Sequence, residues 1–165
     1  MSGFLAGWTP TLVAAGGVTL LALAGGLLTR IDAWYYNLRK PSWQPPNWLF
    51  APAWTTIFIL EAASAVIGWR TVPQGLPAVL LIGAYVLNGV FNILWSWFFF
   101  WRRRPDLALR EVGALWLSVL GIMLLLAHYA GLTWVFLLPY LLWVSFASFL
   151  NYTIVRLNPP FGAVP

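Results

Sequence analysis

The chain has 165 residues, of which 8% are charged and 61% hydrophobic, with a mean hydropathy of +0.81. Soluble domains carry charge on roughly a quarter of their residues, so a water-covered surface is excluded and 1–165 reads as a single integral membrane domain. The net charge is +5, and the lack of cysteine excludes a disulfide or thiolate metal site. The basic residues end apolar runs and form no polar face, so no nucleic-acid partner is expected.

The first apolar run carries no Lys or Arg before Arg30. A secretory signal would open on a positive region, so this run is expected to be a retained helix. Four further apolar runs follow. The last, Val112 to Val155, would make about 66 Å of helix, twice a hydrocarbon core of roughly 30 Å. It must turn, and Ala130-Gly131-Leu132 is the expected place. The spans predicted are 5–29, 48–69, 77–100, 107–129 and 133–156. None alternates as barrel strands must, so the fold class is an all-α bundle of five transmembrane helices.

Arg30, Arg39, Lys40, Arg102, Arg103, Arg104, Arg110 and Arg156 fall on one side of this topology, and only Arg70 on the other. The positive-inside bias predicts the N-terminus outside, with the first loop and C-terminus cytoplasmic. The triplet Arg102–Arg104 reads as a topological anchor or an anionic-lipid contact. Asp32, Asp106 and Glu111 are expected to pair with arginines or cap helices.

The first loop, residues 34–54, reads WYYNLRKPSWQPPNWLFAPAW. Trp and Tyr join a large apolar body to one polar handle, and Pro lowers the entropy lost on ordering a loop. An ordered, aromatic-walled lid is expected, with Trp34, Arg39, Lys40 and Trp43 at the entrance. Polar and aromatic side chains then recur at helical spacing: Trp54, Phe58 and Glu61; Tyr85, Asn88, Asn92, Trp95 and Phe99; Tyr140, Trp143, Ala147 and Asn151. An amide facing lipid would be unsatisfied, so these faces should converge inside the bundle. Asn88 and Asn151 read as interhelical hydrogen-bond glue, and Asn92 beside Trp95 as a pocket wall. Glu61, the acidic residue deep within a span, reads as a protonated carboxyl bonded to a neighbouring helix or as part of the pocket floor. His128 is expected at the interface rather than as a haem ligand. Ala22 and Gly26 suggest a close helix contact, and Gly83 and Gly89 a dimer face. No catalytic set or metal cluster is present in the pattern.

The run WYYNLRKPSWQPPNWLFAPAWT, with NGVFNILWSWFFF and PYLLWVSFASFLNYTIVRLN after it, resembles the signature of the translocator protein family (TspO/MBR), also called tryptophan-rich sensory proteins or peripheral benzodiazepine receptors. The resemblance covers nearly the whole chain. It implies a five-helix bundle that forms a homodimer, and a pocket under the first loop. The implied ligands are porphyrins such as protoporphyrin IX and haem, benzodiazepine-type drugs, and cholesterol in some members. By motif the pocket residues are Tyr35 and Pro45 from the loop, Trp54, Phe91, Asn92 and Trp95 from FNILW, and Trp143, Phe146 and Ala147 from PYLLWVSFA. Leu150, Tyr152 and Arg156 fit a candidate sterol motif. Glu61 departs from the family, which places an apolar residue there. The function this implies is porphyrin or haem binding in tetrapyrrole sensing, regulation or transport, in a bacterial membrane and with no obligatory cofactor. The alternatives are photo-oxidative porphyrin breakdown and cholesterol or lipid binding or translocation.

Overall fold

Several element boundaries follow a local signal. A computed structural model describes residues 2–158 and 160–161, with side chains from residue 7. Helix α1 (Ser2–Leu28) leads to a short lid helix α2 (Ala33–Asn37). A 3-10 turn at Asn47–Leu49 opens α3 (Phe50–Thr71), followed by α4 (Leu76–Ser96), α5 (Pro105–Tyr129) and α6 (Leu138–Leu157). Proline stands in the first turn of α4, α5 and α6, where its missing N–H is no loss. Asp32 caps α2, its Oδ1 accepting from the Tyr35 N–H at 3.2 Å. Gly131 turns the chain after α5 at φ 59°, a left-handed geometry that costs other residues about 1–2 kcal/mol. No strand occurs among the described residues.

Five helical stretches are long and apolar enough to cross a membrane: Gly7–Leu28, Asn47–Thr71, Leu76–Trp101, Pro105–Tyr129 and Gly131–Leu157. They match the spans expected from sequence to within about two residues at each boundary, and the turn falls at Gly131. Two irregularities were not expected. Residues Gly131–Leu137 form a 3-10 segment before α6, and Trp97–Trp101 form a π-turn after α4. In the π-turn the Arg102 N–H donates to Trp97 O at 2.9 Å, five residues back. Such turns re-aim side chains within a helix and are frequent at functional sites. Here the turn carries Phe99 inward, 3% exposed and stacked on Trp95 at 5.2 Å.

Helix α5 is the central element, packed on α4 and α6 through Val112, Leu115, Val119, Ile122 and Leu126. A Cβ on Gly68 of α3 would lie 2.8 Å from Leu126 Cδ2 and 3.0 Å from Leu81 Cδ2. Glycine there sets how closely α3 meets α4 and α5. Helix α1 is different: none of its residues 7–28 is buried. It touches α3 and α4, and its loose seating leaves two cavities along its length.

Candidate functional site

The lid is built by side chains that satisfy one another. Tyr35 is buried, donates to Asn47 Oδ1 at 3.1 Å and accepts from Gln44 Nε2 at 3.2 Å. Burial pushes its phenol up, so it stays a neutral donor. Lys40 folds back onto the loop. Its ammonium donates to the carbonyls of Tyr35, Tyr36 and Leu38 and lies 4.4 Å from the Tyr35 ring centroid. Desolvation lowers its pKa. Arg39 exchanges backbone hydrogen bonds with the Asn158 side chain, both at 3.0 Å, tying the loop to the end of α6. Asp32 Oδ2 meets Arg103 at 2.8 Å, tying it to the α4–α5 connection. Trp34 stands edge-on to Phe99, and Trp43 stacks on Phe149 at 5.2 Å. The first loop, the α4–α5 connection and the end of α6 therefore share one end of the bundle.

Beneath the lid is a cavity of about 440 Å³, within the range of drug-sized sites. Tyr35 and Asn47 close it from the lid side, and Trp54 and Phe58 enter from α3. Asn92, Trp95 and Ser96 come from α4, Phe100 from the π-turn, and Trp143 and Ala147 from α6. The three faces expected from sequence thus meet. Asn92 is 6% exposed and donates through Nδ2 to Tyr140 Oη at 2.9 Å. Tyr140 Oη donates to Asn88 Oδ1 at 3.3 Å, and Asn88 Nδ2 to Ser118 Oγ at 2.9 Å. This chain satisfies the polar groups between α4, α5 and α6, as a membrane interior requires. It also orients the Asn92 amide at the cavity wall and leaves Oδ1 as its acceptor.

Pro45, Phe91 and Phe146 do not line the cavity. Phe91 packs against the main core, and Phe146 lies between Trp143 and Trp43 at 5.6 and 6.0 Å. Trp34, Arg39, Lys40 and Trp43 belong to the lid and its ties rather than to the lining. Glu61 is 3% exposed and lines the second cavity instead of this one. Its Oε2 has no hydrogen-bond partner, so the carboxyl is not bonded to a neighbouring helix through that atom. Leu150 is buried beside the lid, whereas Tyr152 is exposed and accepts from Arg156 Nη1 at 3.2 Å. The candidate sterol motif is thus split between two faces of α6.

Asn151, 1% exposed, bridges α6 to the first turn of α5 through Pro105 O at 3.0 Å and the Leu109 N–H at 3.1 Å. Asp106 pairs with Arg104 at 2.6 Å. Glu111 does neither job expected of it, because both its oxygens are buried without a partner. The lining contributed by α1 and the residues just after it, at Ala22, Gly25, Gly26, Thr29 and Ile31, was not expected from sequence. A Cβ on Gly25 or Gly26 would meet nothing within 4 Å. These small residues leave room rather than draw helices together. Their spacing in the chain was the available signal. Gly89 is buried against Leu21 of the same chain and is not free to form a dimer face.

The TspO/MBR family model matches residues 11–157. The chain belongs to the TspO/MBR family. It is similar to the tryptophan-rich protein TspO of Chlorobaculum tepidum, 39% identical over 145 residues that cover 84% of this chain and 89% of that protein. It is also similar to the tryptophan-rich sensory protein of Cereibacter sphaeroides, 36% identical with 86% and 90% covered. The translocator protein of Sus scrofa is 30% identical, with 90% and 92% covered. Family membership and five apolar helices make this TspO/MBR member a multi-pass membrane protein embedded in the bilayer.

Proposed function

We propose that the aromatic cavity binds flat apolar ligands with polar edges, foremost porphyrins such as protoporphyrin IX and haem, and benzodiazepine-type molecules. The reading places this TspO/MBR member in tetrapyrrole sensing, regulation or transport, without an obligatory cofactor. The observation that carries it is the combination, in one cavity, of the Trp54, Trp95 and Trp143 rings with one oriented amide, Asn92. Aromatic faces stack on a macrocycle, and Asn92 Oδ1 can accept from an N–H or carboxyl donor at its edge. The names of its relatives, tryptophan-rich sensory protein and translocator protein, agree with a role in sensing or transport. Lys40 is engaged with the lid's own carbonyls, so the role of drawing in a ligand carboxylate falls to Arg39, whose side chain is exposed.

The reading includes a homodimer, and a bilayer orientation with the N-terminus outside and the lid on the cytoplasmic side, in a bacterial membrane. The test is a protoporphyrin IX titration in nanodiscs, followed by tryptophan quenching against empty discs. Saturable quenching near one ligand per chain, weakened in Asn92→Ala and Trp143→Phe, supports the site. Quenching that is equal in wild type and both variants reports partition into lipid and removes the proposal. Crosslinking in native membranes and cysteine accessibility on each side check the dimer and the orientation.

A further inference from the structure

The second cavity is the larger, at about 560 Å³. It lies between α1, α3 and α4, on the opposite side of the Leu21–Gly89 contact from the aromatic cavity. Helix α1 lines the aromatic cavity with Ala22, Gly25 and Gly26 near its C-terminal end, and lines this one with Pro10, Val13, Ala14, Gly17 and Leu21 nearer its start. The α1 glycine leaves space: a Cβ on Gly17 would meet nothing within 4 Å. At the rim, Val13, Leu20 and Val86 are 68%, 69% and 62% exposed, so the cavity opens sideways to the surface that faces lipid.

One wall group does not fit an apolar space. Glu61 lines the cavity, is 3% exposed and leaves Oε2 without a partner. The nearby Tyr85 hydroxyl is already engaged with Ser64 Oγ at 2.7 Å, and Ser64 with the Glu61 carbonyl at 2.7 Å. Neither relieves the carboxyl. An ionisable group inside a membrane is costly unless a counter-charge or donor reaches it. Among the described residues, the lining of this cavity contains neither Lys nor Arg.

We propose that this cavity is a second binding site, distinct from the aromatic one, for a lipophilic amine that enters from the bilayer and pairs its ammonium with Glu61. The apolar walls accept the body of the ligand. The ammonium supplies both donor and counter-charge in a space where water competes little. A neutral alcohol or a lipid chain would satisfy the walls and leave the carboxylate without its counter-charge. The site does not depend on porphyrin binding, because Glu61 and Tyr85 line one cavity and Trp54, Asn92 and Trp143 the other.

The experiment is equilibrium dialysis of nortriptyline, and of its neutral N-acetyl derivative, against the full chain in phosphatidylcholine nanodiscs, with empty discs subtracted. Saturable nortriptyline binding is expected. Glu61→Gln keeps the shape and removes the charge, and should lower nortriptyline affinity by about tenfold or more, the scale of losing one partner of a buried charge pair. It should leave the N-acetyl derivative unchanged. Ala65→Phe fills the cavity while keeping the carboxyl, and should weaken both ligands. Circular dichroism on the same Glu61→Gln sample reports an intact helical fold. Three results overturn the proposal: nortriptyline affinity within about twofold of wild type in Glu61→Gln, binding that survives Ala65→Phe, or binding lost equally in Asn92→Ala. The first would mean that the cavity takes apolar chains without regard to charge, and the last that the amine sits in the aromatic cavity.

Discussion

Replacing Tyr140 by Phe removes one oxygen from the bundle and little else. Tyr140 is 2% exposed, and its ring stands edge-on to Trp54 at 5.8 Å, a contact that Phe retains. The hydroxyl accepts from Asn92 at 2.9 Å and donates to Asn88 at 3.3 Å. The second distance is long, so the first bond carries more. Hydrogen bonds between membrane helices average about 0.6 kcal/mol with a maximum near 1.7, because the chain unfolded in the membrane also finds partners. Two bonds therefore give about 1–2 kcal/mol. The two orphaned groups differ. Asn92 borders a cavity where water or ligand can replace the lost acceptor. Asn88 is 0% exposed and has no such recourse for Oδ1. The loss should sit at the upper end, near 2 kcal/mol. Reversible denaturant unfolding in mixed micelles measures it, and a cycle with Asn92→Leu isolates the coupling, expected at about 0.6–1.5 kcal/mol. A neutral or stabilising Tyr140→Phe, or a coupling indistinguishable from zero, would refute the claim that this network orients Asn92.

The lid should respond to acid through Asp32. The Tyr35 N–H, with Arg103 beside it, holds this carboxyl below its ordinary value of 3.8. A lowered folded value means that its contribution is complete above about 3.8 and fades as pH falls through the lower folded value. Exchange protection of the Tyr35 amide, read against Asp32→Asn, should converge with that variant only in this acidic window; convergence near neutral pH would contradict the assignment. Lys40→Met removes three donations to lid carbonyls. Porphyrin release, followed by stopped-flow fluorescence, should quicken several-fold with helix content unchanged, and an unaltered rate would show that Lys40 does not hold the lid. Gly131→Ala forces a side chain into the left-handed turn and should cost about 1 kcal/mol. Gly121→Ala, mid-helix with no atom within 4 Å of the new Cβ, should gain about 0.5–1 kcal/mol. Matching signs in the unfolding midpoints would undo that pair.

Hydrophobic run length decides where a chain can cross a membrane, because an unsatisfied backbone is prohibitive in hydrocarbon. That alone placed five spans and the turn at Gly131. Helical spacing put Trp54 with Phe58, Asn92 with Trp95, and Trp143 with Ala147, and a convergence of those faces was legible because an amide in lipid must turn inward. The tertiary structure decided what spacing does not encode. Glu61 follows Trp54 by seven residues, on the same face by periodicity, yet opens into a different cavity. The helix carries it about 10 Å along the bundle, past the point where Leu21 meets Gly89. Periodicity placed Phe99 inward beside Trp95, where it stacks, but the π-turn at Trp97–Trp101 also brings Phe100 into the cavity lining, and no periodicity argument finds an added residue. Sequence puts Lys40 at the lid entrance, but the fold of the lid turns it back onto the lid's own carbonyls. Glycines in α1 have the same composition signature whether they admit a neighbouring helix or leave a void. Only the seating of α1 against α3 and α4 separates the two, and here it leaves the space in which both cavities lie.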